Sequence, residues 1–183
     1  MIAALLQQIP PAGVDATPAP VSDLATPNVP WSYLLPLLIL ALGALVGLAA
    51  VAFVRKAFPR FIGAGYTVVV ATAALASTVP LWNRVGNAKE GAISAVSGAV
   101  GIDRFSLFIT GVICVSVILV ALLADGYLRR ESLEGPDLYL LMLMSAAGGV
   151  IMVSANDLIV LFIGLEVLSI SAYVMAAMHS RRL

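Results

Sequence analysis

Charged side chains are scarce in this chain: Asp, Glu, Lys and Arg make up 11% of its 183 residues, where a soluble domain carries about 25%. Ten basic residues balance ten acidic ones, so no surplus of either sign points to nucleic acid as a partner or to electrostatic attachment at a membrane surface. Cysteine is limited to Cys114, which excludes an internal disulfide and a cysteine metal cluster; inside an apolar run, it reads as a small packing residue. Histidine is limited to His179. With Arg181 and Arg182 beside it and no second His, Cys or carboxylate at ligand spacing, it belongs at a membrane–cytosol boundary and not in a metal site. No basic residue precedes the apolar patch of MIAALLQQIPP, so the N-terminus does not read as a cleaved signal peptide.

Apolar residues fill the space that charge leaves. They reach 61% of the chain, and the mean hydropathy is +1.05. The composition is that of an all-α integral membrane protein. Six of the ten prolines (Pro10, Pro11, Pro18, Pro20, Pro27 and Pro30) fall among Ala, Thr, Ser and Asp near the N-terminus. A segment that lacks so many backbone donors builds no regular ladder, so residues 1–30 are expected to form an extended external tail.

Five apolar segments follow, each read as a transmembrane helix. The first covers 33–54, between Trp31 at one interface and Arg55 and Lys56 at the other. Pro36 lies near its first turn, where a missing N–H costs least. A second covers 61–81, and a third 105–124, opened by Asp103 and Arg104. The connection between them, near 83–103, is rich in Gly, Ala and Ser; its second half is apolar enough to dip into the interface or fold as a short hairpin. These three leading helices make a 31–124 unit. A charged loop over 125–137, with a turn signalled by Gly135 and Pro136, leads to the fourth and fifth segments within 138–183. Gly148 and Gly149 give the fourth helix a face on which a neighbouring backbone can approach closely. Only Asn156 and Asp157 separate it from the fifth, so these two helices are antiparallel neighbours. Alternating the loops puts Arg55, Lys56, Arg60, Arg129, Arg130, Arg181 and Arg182 on one side and Arg84, Lys89 and Arg104 on the other. Basic residues favour the cytoplasmic side, so the N-terminus is expected outside and Leu183 inside.

Glu166 is the one ionisable residue inside any of these apolar runs. Counted from Leu158 at ~1.5 Å per residue, it lies about 12 Å into a hydrocarbon layer of roughly 30 Å. Burying a carboxyl at that depth costs on the order of 2.5 to 3.5 kcal/mol, so an intramembrane acid reads first as a functional group. Ser169 and Tyr173 fall on the same helical face at i+3 and i+7, with Phe162 one turn before. Two roles are open for Glu166: a proton-exchanging carboxyl working with a nearby cation, or a protonated interhelical hydrogen-bond donor. Ser169 and Ser171 read mainly as helix-packing hydroxyls. Tyr173 is either an interface anchor or a member of a water chain. No intramembrane Lys, Arg or His is present in these runs, so such a partner must come from elsewhere.

The run SANDLIVLFIGLEVLSISAYVMAA strongly resembles the fifth transmembrane helix of the subunit N family of the proton-pumping NADH-quinone oxidoreductase, respiratory complex I. The matching residues are Asn156, Asp157, Leu158, Gly164, Leu165, Glu166, Leu168, Ser169 and Tyr173. Upstream, Asp103, Phe105, the pair Tyr127 and Leu128, and the stretch GPDLYLLMLMSAAGGVIM fit as well, with Asp137 where the family usually has Glu. Sister subunits L and M, and related cation/proton antiporter subunits, more often carry an aromatic residue just before the Glu, so Gly164-Leu165-Glu166 favours N.

That resemblance implies an antiporter-like bundle of about fourteen helices with inverted repeats beginning at the fourth, of which this chain would supply the N-terminal part. It implies a membrane-arm subunit in a bacterial plasma membrane, with other membrane-arm subunits and lipid as partners. Proton transfer would fall to Glu166, paired in the family with a Lys on the seventh helix. NADH, FMN, iron–sulfur clusters and quinone would be bound elsewhere in the complex and no cofactor or metal on this chain. Because the chain stops at Leu183, it is expected to hold one half of that ion pair. Alternatives are a subunit of a cation/proton antiporter complex, or a structural membrane assembly protein in which Glu166 is only a bond between helices.

Overall fold

A computed structural model describes residues 29–53, 60–87, 92–130 and 136–180. All but the last two residues of the Pro-rich tail, the basic residues Arg55, Lys56, Lys89, Arg181 and Arg182, and the side chains of Arg60, Tyr127, Arg129, Arg130 and His179 lie outside the described set. After a single 3-10 turn at Trp31–Tyr33 come α1 (Leu35–Phe53), α2 (Arg60–Asn87), a β-hairpin made of β1 (Ala92–Ala95) and β2 (Val100–Asp103), α3 (Arg104–Arg130), α4 (Asp137–Val153) and α5 (Leu158–Ser180). Four of the helices are long and apolar enough to cross a bilayer. The other, α4, has 17 residues, at the short limit of the spanning range of roughly 17 to 25. The chain is an all-α membrane protein, with five α-helices among the described residues and the hairpin inserted between the second and third.

Two helices run past their expected ends. The second helix runs to Asn87 instead of 81, and the third runs to Arg130 instead of 124, which takes the first six residues of the expected 125–137 loop into helix. Charged residues mark where a helix leaves hydrocarbon, and backbone hydrogen bonding continues past that point into the polar region. At α4 the opposite happens: the helix stops at Val153, because Ser154 and Ala155 turn to pair with the hairpin.

The helix α4 is the hub. It packs against all four other helices, most extensively α5, and none of its residues falls in the exposed class. Small residues allow this crowding. On α1, Gly43 and Gly47 stand four apart on one face; a Cβ on Gly43 would lie 2.5 Å from a Val70 methyl on α2, and one on Gly47 would strike Leu140 of α4 and meet Tyr66 at 3.0 Å. The shared core includes Leu40, Ala44, Ala71, Cys114, Leu143 and Ala147, with Cys114 fully buried. Hydroxyls within the bundle are satisfied locally or across helices. Tyr66 donates to the Gly43 carbonyl at 2.8 Å, and Thr67 to the Tyr139 carbonyl at 3.4 Å.

At one end of the bundle the segments expected outside come together. The hairpin lays Ala95 and Ile102 on Leu81 and Val85 of α2 and Leu107 of α3, with Tyr33 and Leu34 beside them. Its loop passes through left-handed backbone at Val96 (φ 53°), Ser97 (φ 55°) and Gly98 (φ 94°). Asp103 caps α3 reciprocally: its carboxylate accepts from the Ser106 N–H at 2.6 Å, while its own N–H donates to the Ser106 hydroxyl oxygen at 3.0 Å. The Arg104 guanidinium lies 5.9 Å from the centre of the Trp82 ring.

Candidate functional site

The site is built on α5, a helix started by its own sequence. Asp157 accepts from the Ile159 N–H at 3.2 Å through its side chain and from the Leu161 N–H at 3.0 Å through its carbonyl. That carboxylate satisfies one of the orphan donors that every helix start leaves. From there the chain continues without interruption to Ser180.

One face of α5 is spent on α4. Gly164 is buried, and a Cβ there would come within 2.8 Å of the Met152 backbone nitrogen and 3.0 Å of the Gly148 carbonyl oxygen. Ser171, also buried, donates back to the Val167 carbonyl at 2.8 Å, the packing role expected for it. Leu168 covers Gly148 and approaches Gly149.

Glu166 stands two residues beyond Gly164, roughly 200° around the helix. It therefore projects from the side of α5 turned away from α4, and it is half-buried. The residues expected to share its face do share it. Phe162 is 59% and Tyr173 71% exposed, and Ser169 is half-buried. The hydrogen bonds of the described residues bring no partner to Glu166. This chain thus places a carboxyl at mid-span on an apolar face that its own described helices leave open. On the opposite side of α5, between α3, α4 and α5, runs a cleft of about 350 Å³ lined mainly by aliphatic side chains, with Ser116 and Ser145 as its polar groups; Glu166 does not line it.

Two features were not anticipated from sequence. In the sequence Gly164 reads as part of a motif, and the structure shows it as the crossing point of α4 and α5. Its signal was available in the small-residue pairing of Gly148 with a glycine on the next helix. The second is the pairing of the hairpin with the turn before α5, for which no local pattern exists.

Apolar helices around a small-residue core, with one acid halfway along the least buried of the long helices, define a class: polytopic α-helical membrane proteins with an intramembrane carboxyl. No family model matches the chain. Curated relatives do. It is 34% identical over 144 residues to NADH-quinone oxidoreductase subunit N of Myxococcus xanthus (strain DK1622), covering 79% of this chain and 27% of the relative. With the subunit N of Salinispora arenicola (strain CNS-205) it shares 32% identity over 185 aligned positions, 88% of this chain and 34% of the relative. A shorter match of 71 residues reaches 45% identity with subunit N 1 of Sorangium cellulosum (strain So ce56). The chain belongs to the NADH-quinone oxidoreductase subunit N family, and it spans about a third or less of the length of these relatives. Among solved structures it superposes on a chain of the membrane-bound sulfane sulfur reductase, an archaeal respiratory membrane complex, with a TM-score of 0.60 at 18% identity over 79% of this chain and 22% of that one. At that identity the likeness is one of fold.

Proposed function

We propose that this chain works within the membrane arm of a proton-translocating NADH-quinone oxidoreductase in a bacterial plasma membrane, and that Glu166 is its proton-carrying carboxyl. One observation carries the reading: the acid sits at mid-span on a face turned away from the chain's own bundle, where a role as glue between α4 and α5 is geometrically closed to it. A carboxyl in hydrocarbon favours its neutral form, and a cation brought against it favours the charged form. A cation on a neighbouring helix that moves toward and away from Glu166 would therefore load and unload one proton. Ser169 and Tyr173, on the same face, would extend a polar path along α5. In this reading electron transfer from NADH through flavin and iron–sulfur centres to quinone takes place on other subunits. The end that carries the hairpin faces outward, as the excess of basic residues at the other end argues.

Glu166→Gln in the assembled complex tests the reading. Gln keeps the size and hydrogen-bonding shape and removes the exchangeable proton. The expected result is normal abundance of the complex in membranes with proton pumping and coupled NADH-quinone turnover strongly reduced. Unchanged pumping would rule the proton-carrier role out, and loss of the complex alone would favour a purely structural role. Activity dependent on Na⁺ or K⁺ and independent of NADH would assign the chain to a cation/proton antiporter complex instead.

A further inference from the structure

The hairpin between α2 and α3 does more than close a loop. Its second strand extends its pairing to the turn between α4 and α5. The Gly101 N–H donates to the Ser154 carbonyl at 2.8 Å, and the Asn156 N–H donates to the Ala99 carbonyl at 3.0 Å. Val100 and Ala155 form the antiparallel bridge between those two bonds. Gly101 is the strand residue that makes room: a Cβ there would lie 2.7 Å from both Nδ2 and Oδ1 of Asn156. Asn156 immediately precedes Asp157, the cap of α5. The hairpin is anchored in turn, through Ala95 and Ile102, on α2 and α3.

The helix α5 is seated on α4 along the face that carries Gly164 and Leu168, and a helix packed on one main neighbour can still turn and tilt on that seat. The hairpin supplies a separate attachment, about 13 Å further toward the helix start than Glu166. Turning α5 by about 20° would swing a side-chain tip some ~6 Å from the axis through about 2 Å. That is enough to break a charge-assisted hydrogen bond of about 2.8 Å. We infer that the hairpin is a clamp that sets the rotation of α5, and that Gly101 and Asn156 are positioning residues for Glu166. The inference rests on the proton-carrier reading of Glu166 and adds to it what aims the carboxyl.

Two measurements on the assembled complex in native membranes test it. First, Val100 and Ala155 are a non-hydrogen-bonded antiparallel pair, whose Cα atoms stand about 4.5 Å apart, within disulfide range. The pair V100C/A155C is expected to cross-link on oxidation with copper phenanthroline, and the cross-linked complex to keep its ratio of protons pumped to NADH oxidised. Failure to cross-link, or a loss of pumping that dithiothreitol reverses, would overturn the clamp. Second, Gly101→Val suits a strand, so the hairpin's own ladder is retained, but it pushes Asn156 aside. It is expected to lower pumping per NADH by up to about 100-fold at unchanged complex abundance, the scale of effect that a misplacement of about 1 Å can produce, and the V100C/A155C cross-link is expected to restore it. Unchanged pumping in Gly101→Val, or no rescue once the cross-link has formed, would overturn it. Glu166→Gln run in parallel separates the two ideas: if it pumps normally the proton-carrier reading fails, and if it does not while Gly101→Val does, only the clamp fails.

Discussion

Gly148 on α4 and Gly164 on α5 meet backbone to backbone. A Cβ on Gly148 would stand 2.8 Å from the Gly164 carbonyl oxygen and 2.6 Å from the Leu168 nitrogen, and the converse Cβ on Gly164 would be 3.0 Å from the Gly148 carbonyl. The Met152 side chain, whose Cγ would also be 2.8 Å from the Gly164 Cβ, can move aside, but the Met152 nitrogen and the Gly148 carbonyl are backbone, so the helices themselves would have to separate. Gly164→Ala is therefore expected to cost about 1 to 3 kcal/mol, the range for overpacking a close-packed site. Thermal unfolding of the detergent-solubilised chain reads the effect. Gly65→Ala is the contrast, since nothing lies within 4 Å of the added Cβ, and the gain in helix propensity of up to about 1 kcal/mol should make it neutral or stabilising.

Strain in the hairpin loop gives a prediction of opposite sign. Val96 holds φ at +53°, a conformation that costs an L residue roughly 1–2 kcal/mol and suits Asn or Gly. Val96→Asn is expected to raise the melting temperature. Unchanged or lower stability would mean that the Val96 side chain contributes packing that outweighs the strain.

Two hydroxyl deletions should differ according to where their bonds go. Tyr66→Phe removes a bond from α2 to α1, and interhelical hydrogen bonds in membranes average about 0.6 kcal/mol with a maximum near 1.7. Ser171→Ala removes only a bond within α5; the Val167 carbonyl keeps its helical partner, and a change under about 0.5 kcal/mol is expected. Parallel unfolding curves of the two variants check the order.

At the start of α3, Asp103→Ala removes the carboxylate that accepts from the Ser106 N–H. Loss of an N-cap typically costs about 1 kcal/mol. Because Asp103 also ends β2, hydrogen exchange should quicken in both the first turn of α3 and the hairpin. Acceleration confined to the helix would show that the two are not mechanically joined.

The sequence made the helices readable because in lipid an apolar run has few alternatives to a helix. It also made Glu166 stand out, since one acid in an apolar run is a local signal, and the 3.6-residue period placed Ser169 and Tyr173 beside it. The last turns of α2 and α3 were not readable, because Arg84 and Arg129 look like loop residues while their backbones stay helical. The hairpin was visible only as an apolar, Gly-rich connection, and its bonds to Ser154 and Asn156 join positions more than fifty residues apart. Only a pairing across the fold determines that contact. Likewise Gly164 looked like a family signature until the structure put Gly148 against it.

The shortness of α4 bears on how the protein meets bilayers of different thickness. Its 17 residues span only about 25 Å, less than a typical hydrocarbon core of about 30 Å. A lipid-facing helix that short would thin the membrane or tilt upright to fit it. With none of its residues in the exposed class, α4 is shielded from that mismatch by the longer helices packed around it. Changes in acyl-chain length should therefore tilt the outer helices around a central one that stays put, with the α4–α5 turn and the hairpin bound to it as the place where the relative motion is felt.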